Sequence, residues 1–192
     1  MGTIMKQQKK KIRLSFEKFI KKKLIPLLDQ ENKKISSERN YISKNNKSID
    51  PVTKHDVRIE KRIRHLINKF YPDHNIKGEE FMSKKGKSDY EWCIDPIDGT
   101  KALIAGQPTW SNMIGLTFKN SPIYGLIYFP ELKKYYFNNQ RFSYVCKNRS
   151  IKRIRSKKNR ILNKSYLITN SIHTIKNTKI LKFFQNYKYL FK

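Results

Sequence analysis

The 192-residue sequence is 38% hydrophobic and 12% aromatic, which excludes a disordered chain and allows one or two domains with a buried core. Lys and Arg number 43 against 15 Asp and Glu, for a formal net charge of +28. Such a charge first suggests nucleic acid or an anionic surface, but the basic residues are spread along the chain and no nucleic-acid motif accompanies them. The richness in Lys, Asn, Ile, Tyr and Phe reads as AT-rich codon bias, so nucleic acid is not an expected partner. Cys93 and Cys146 are too few for a disulfide scaffold and lack metal-ligand spacing. No apolar run approaches the roughly 18 residues of a spanning helix, and "MGTIMKQQKKK" lacks the apolar core of a signal peptide. No membrane association and a cytoplasmic location are expected.

In chain order, residues 12–29 carry Ile12, Phe16, Phe19, Ile20, Leu24, Leu27 and Leu28 at three- and four-residue steps, which predicts an amphipathic helix. Residues 31–49 are polar and read as a helix tail and loop. A second helix is predicted from about Lys54 to Tyr71, with Ile59, Ile63, Leu66, Ile67 and Phe70 as its buried stripe, Thr53 as N-cap and Pro72 as terminator. The period then changes. "DYEWCID" (89–95), "SNMIGLTF" (111–118), "PIYGLIYF" (122–129), "KKYYFN" (133–138) and "RFSYVC" (141–146) are short and rich in β-branched and aromatic residues. They predict an antiparallel meander with helices against it. Residues 147–164 read as a basic connector. "SYLITN" (165–170) then reads as a strand and 175–187 as a helix, so the expected domains are 1–148, an α+β unit, and 149–192, the start of an α/β unit.

Three stretches hold the acids of interest: "DPVTKHD" (50–56), "KGEEF" (77–81) and "DPIDGT" (95–100). Each lies at the edge of a predicted element, where side chains can converge on a cleft. Taken singly, each has an ordinary reading. Asp56 suits a helix-capping acid, Glu79 and Glu80 a solvated turn, and Asp-Pro and Asp-Gly are turn formers. His55 reads as a solvent-facing helix residue. Taken together, converging carboxylates repel and raise one another's pKa, and a hard divalent cation such as Mg²⁺ removes that cost. Gly99 lets backbone approach a ligand, and Thr100 supplies a hydroxyl. A helix starting near Gly99 would present free N–H groups to a phosphate.

In order and spacing these stretches resemble the inositol monophosphatase family of Mg²⁺-dependent phosphomonoesterases. The matching residues are Val52-Thr53-Lys54-His55-Asp56, Gly78-Glu79-Glu80, and Trp92-Cys93-Ile94-Asp95-Pro96-Ile97-Asp98-Gly99-Thr100. The resemblance implies a layered αβαβα sandwich and two or three Mg²⁺ ions. Glu79, Asp95 and the Ile97 carbonyl would hold the first, with Asp95 bridging to a second that Asp98 also binds. Asp56 and Thr100 would orient and deprotonate the attacking water, and Asp56 would touch a third ion through water. The Gly99 and Thr100 N–H groups would hold the phosphate. A homodimer and a small phosphorylated metabolite as substrate are also implied. "DGTKAL" with "AGQPTW" points toward histidinol phosphate or inositol phosphate, although a Lys after "DGT" also occurs in the branch acting on 3′-phosphoadenosine nucleotides. The family's second domain carries a further metal-binding Asp, whereas residues 132–192 here contain no Asp or Glu. The expectation is therefore a second domain that is incomplete and a second metal site short of one ligand. The competing readings are an inactive remnant of the family and a basic nucleic-acid-associated protein, the latter resting on "KNRSIKRIRSKKNR" (147–160).

Overall fold

A computed structural model of the chain describes residues 16–35, 41–43 and 51–156. Residues 16–19 are helical, a π-helical turn follows over Ile20–Leu24, and helix α1 runs Ile25–Asn32. The widened turn was not visible in the apolar spacing, and Pro26 explains it. Proline has no N–H to give the preceding turn and its ring crowds the carbonyl four residues back. The chain loosens there, and the Ile25 N–H bonds five residues back, to the Ile20 carbonyl.

Strands β1 (Tyr41–Ser43) and β2 (Pro51–Thr53) pair antiparallel and lead into helix α2, Lys54–Phe70. Ile59, Ile63 and Ile67 recur every four residues in α2 and are fully buried, so one face of the helix is apolar. Pro72 follows directly after its last turn, as expected.

Seven strands then form one sheet in sequence order: β3 (Asn75–Gly78), β4 (Tyr90–Asp98), β5 (Ser111–Phe118), β6 (Ser121–Phe129), β7 (Lys134–Asn138), β8 (Ser143–Lys147) and β9 (Ser150–Ile154). A short helix, α3 (Thr100–Ile104), interrupts the run between β4 and β5. Pairing is antiparallel throughout except β3 with β4, which is parallel. The meander and the α+β class are as the composition led one to expect. Residues 31–49 were expected to be a helix tail and loop, so β1 was not foreseen, nor was β2, which pairs with it. Two strands of the large sheet were not foreseen either. β3 has one apolar residue, Ile76, and forms because Ile76 pairs beside Trp92 and is buried. β9 reads as a basic connector and forms because Asn148 and Arg149, both at positive φ, turn the chain back onto β8. As an outer strand with a largely exposed, cationic sequence, it discourages further edge pairing.

Alternation decides what the sheet buries. Trp92 and Ile94 on β4, Ile114 and Leu116 on β5, and Tyr124, Leu126 and Tyr128 on β6 face one side, where they join Phe16, Phe19, Ile20, Leu24 and Leu28 and the α2 stripe in a single core. Trp92 is its centre. Its ring lies against Phe16, Phe19, Tyr71 and His74, and its indole N–H donates to His74 Nδ1 at 3.0 Å. The compact unit carrying these elements extends to Arg155. The strand predicted at 165–170 and the helix at 175–187 lie outside the described residues. No described helix is long and apolar enough to cross a membrane.

Candidate active site

The site is built where β4 loses its regular pairing. Asp95 pairs with Met113, but Asp98 pairs with Ser111, so β4 carries one residue more than β5 over this step. That is a bulge, and a bulge re-aims side chains. Pro96 suits it, having no N–H to leave unpaired. The irregular backbone is held from beneath by amides. Asn112 Nδ2 donates to the Pro96 carbonyl at 2.6 Å, and Asn112 Oδ1 accepts from Asn32 Nδ2 at 2.8 Å. Both asparagines are buried. Helix α1 therefore braces the Asp-Pro-Ile-Asp turn through one shared polar contact.

Past the turn, Gly99 has φ of +82°, a left-handed conformation that suits glycine. Thr100 then opens α3, and its Oγ1 donates to the Ile97 carbonyl at 3.1 Å. The Asp98 carboxylate accepts from Ser111 Oγ at 3.4 Å. Asp98 and Gly99 are exposed, Ile97 is buried, and Asp95 and Thr100 are intermediate.

The other acids arrive from separate elements. Asp56 is buried in the first turn of α2, and Glu79 follows directly on β3 and is exposed. All of them act on Asp95. Burial first, then the charge of Glu79, then that of Asp98, a hydrogen bond with Glu79 and the charge of Asp56 together push the Asp95 carboxyl up to about 7. Its Oδ1 is buried with no hydrogen-bond partner among the described residues. This donor set suits a hard dication. It is all oxygen, and a cation beside Asp95 would replace the proton that burial and like-charge repulsion keep there. The acids are not a closed cage. Among the described residues, no three His, Cys, Asp or Glu side chains stand about one point at ion-holding distance. They share a field rather than a centre.

A cavity of about 540 Å³ opens beside Glu79 and Asp95, with Cys93, Met113 and Ile127 in its lining. A larger one, about 710 Å³, is lined by Asp29, Tyr128, Tyr135 and Cys146 and touches none of the predicted site residues. The smaller one is lined by Glu79 and Asp95, while Asp56, Ile97, Asp98, Gly99 and Thr100 are not in its lining.

His55 departs from expectation. It is 1% exposed, not solvent-facing, because the first turn of α2 packs inward, and burial holds its pKa below the usual imidazole range. Two supporting residues were also missed in the sequence, Asn112 and Glu60. Glu60 carries a faint signal, since it stands four residues after Asp56 and so on the same helix face. Asn112 carries none, because its partners are 16 and 80 residues away.

Against known proteins, the profile of the inositol monophosphatase family matches residues 12–191. The chain belongs to the inositol monophosphatase family. A fructose-1,6-bisphosphatase/inositol-1-monophosphatase of Aquifex aeolicus is 43% identical over 82 residues, which is 43% of this chain and 31% of that protein. A histidinol-phosphatase of Chlorobaculum parvum is 40% identical over 86 residues, covering 45% of this chain and 33% of that protein. The solved Thermotoga maritima IMPase superposes with a TM-score of 0.60 at 29% identity, over 77% of this chain and 54% of that one. The chain thus matches about a third of these curated relatives' length and about half of the solved structure. The sheet and its helices are the inositol monophosphatase fold.

Proposed function

We propose that the protein hydrolyses a small phosphate monoester with Mg²⁺ as cofactor, and that Asp56, Glu79, Asp95, Ile97, Asp98, Gly99 and Thr100 carry the reaction. The observation that supports this most is that three acids, Asp56, Glu79 and Asp98, all act on the half-buried Asp95 from three separate stretches of the chain. Glu79, Asp95 and the Ile97 carbonyl would hold one ion, and Asp95 and Asp98 would hold a second. When bound, the ions supply charge neutralisation and polarise both the attacking water and the phosphoryl oxygens.

The chain's own groups do the rest. Asp56 accepts a proton from the attacking water. Thr100 Oγ1, anchored through its own hydrogen on the Ile97 carbonyl, keeps its lone pairs for that water and orients it. The Gly99 and Thr100 N–H groups receive the phosphate oxygens. Phosphoryl transfer needs mainly positioning and electrostatic stabilisation, which an array of fixed oxygens and amides supplies. Substrates named in the relatives, an inositol phosphate and histidinol phosphate, are the first to test.

The purified chain is expected to release phosphate from inositol 1-phosphate or histidinol phosphate in Mg²⁺ and to stop in EDTA. Asp95→Asn is expected to lower kcat at least 100-fold, the range lost with a central electrostatic group. Phosphate release that survives EDTA, or that Asp95→Asn leaves intact, would sink the assignment.

A further inference from the structure

We infer that Glu60, with Arg64, is a positioning residue that holds Glu79 against the repulsion of its fellow acids, and so sets ion affinity without touching the ion. The inference rests on the proposed role of Glu79.

Glu60 is a fully buried carboxylate in the middle of α2. Its Oε2 accepts the backbone N–H of Glu79 at 2.9 Å and that of Glu80 at 2.7 Å. Its Oε1 accepts Arg64 Nε at 2.7 Å. Arg64 Nη2 then donates to the Phe81 carbonyl at 3.0 Å. Two side chains one helical turn apart thereby bind three consecutive backbone groups of the loop after β3. The glycine that opens this loop is explained by the same clamp. A Cβ at position 78 would collide with the Glu60 carboxyl, so Gly78 is the space the clamp occupies.

A fold has cheaper ways to fill a core than a buried carboxylate with an arginine. Such pairs are poor sources of net stability and are better understood as fixing an arrangement. Here the need for fixing is specific. Glu79 approaches Asp95, whose neighbours Asp98 and Asp56 are also acids, and without a tether like charges would drive its loop outward. Glu60 binds Glu79 by its main chain and leaves its side chain to face Asp95. Because Asp56 and Glu60 lie at i and i+4 on α2, one rigid turn of helix sets both the water-activating acid and the loop that carries an ion ligand.

The test is Mn²⁺ binding by the full 192-residue chain, followed by electron paramagnetic resonance, with circular dichroism to show that each variant is folded. Glu79→Gln reports on the ion site itself. Glu60→Gln and Gly78→Ala are expected to weaken Mn²⁺ binding about tenfold or more, the range for outer ligand supports, and Glu60→Asp to fall between. Ile63→Val, a packing change on the same helix, is expected to lower the melting temperature and leave Mn²⁺ affinity unchanged. Should Glu60→Gln not fold, Arg64→Gln carries the test from the clamp's partly accessible side. Loss of binding in Glu79→Gln alongside affinities within twofold of wild type in Glu60→Gln, Arg64→Gln and Gly78→Ala would overturn the clamp and leave the ion site standing. Binding equal in wild type and Glu79→Gln would overturn both.

Discussion

At the scale of single residues, Asp95 carries the most tension. Its folded pKa of about 7 lies above the roughly 3.9 of a free aspartate. Between those values the native state keeps a proton that the unfolded chain has lost. Its contribution to stability is therefore full below about 4 and is lost as pH rises from there through about 7. In EDTA, the melting temperature of wild type relative to Asp95→Asn should fall from pH 5 to pH 8. At pH 8 the variant should be more stable by about 1 kcal/mol, the usual return for relieving a functional strain. A wild-type and variant difference that stays flat with pH would show that burial and the surrounding acids do not raise the Asp95 pKa. His74 is the contrasting case. Burial pushes it down to about 4, and it accepts the Trp92 indole proton as a neutral ring, a packing role with no place in the chemistry.

At the scale of elements, the bulge in β4 depends on amides that the strand pattern does not reveal. Asn112 sits on the core face of β5, where alternation calls for an apolar residue, and uses both ends of its amide. Asn112→Ala would leave the Pro96 carbonyl and Asn32 without this partner. We expect a loss of about 2–3 kcal/mol, measured by urea denaturation, since a stranded buried polar group costs about 1–3 kcal/mol. Activity should fall more than stability at temperatures where the variant is folded, because the same turn aims Asp95 and Asp98. Equal activity per folded molecule would mean that the amide supports the core alone. The π-turn before α1 follows the same logic on a helix, since Pro26 forbids the regular bond and the neighbouring turn widens.

At the scale of the whole molecule, one sheet gathers acids that lie up to 42 residues apart in the chain, from Asp56 on α2 to Asp98 on β4. Ion binding should therefore stabilise the entire unit, since the unfolded chain cannot assemble the acids. At a Mg²⁺ concentration of 100 times Kd the gain is about 2.7 kcal/mol. A rise in melting temperature with Mg²⁺ that disappears in Asp95→Asn is the expected result. A rise that persists in that variant would point to binding elsewhere.

Much of this protein can be read in its residues. The period-2 runs of β4 to β8, the four-residue stripe of α2 and the triplet of acidic motifs are local patterns, set by side-chain spacing and turn chemistry, and they indicated class, meander and family. What spacing could not contain is every feature whose partner is distant. β3 is a strand because Trp92 lies beside Ile76. β9 is one because a left-handed turn returns it to β8. His55 is buried because its helix turn faces the core. Glu60 acts on a loop 19 residues away. Local sequence sets what a segment can do, whereas burial and pairing depend on which surfaces meet, and that was decided only when the sheet and its helices closed around Trp92.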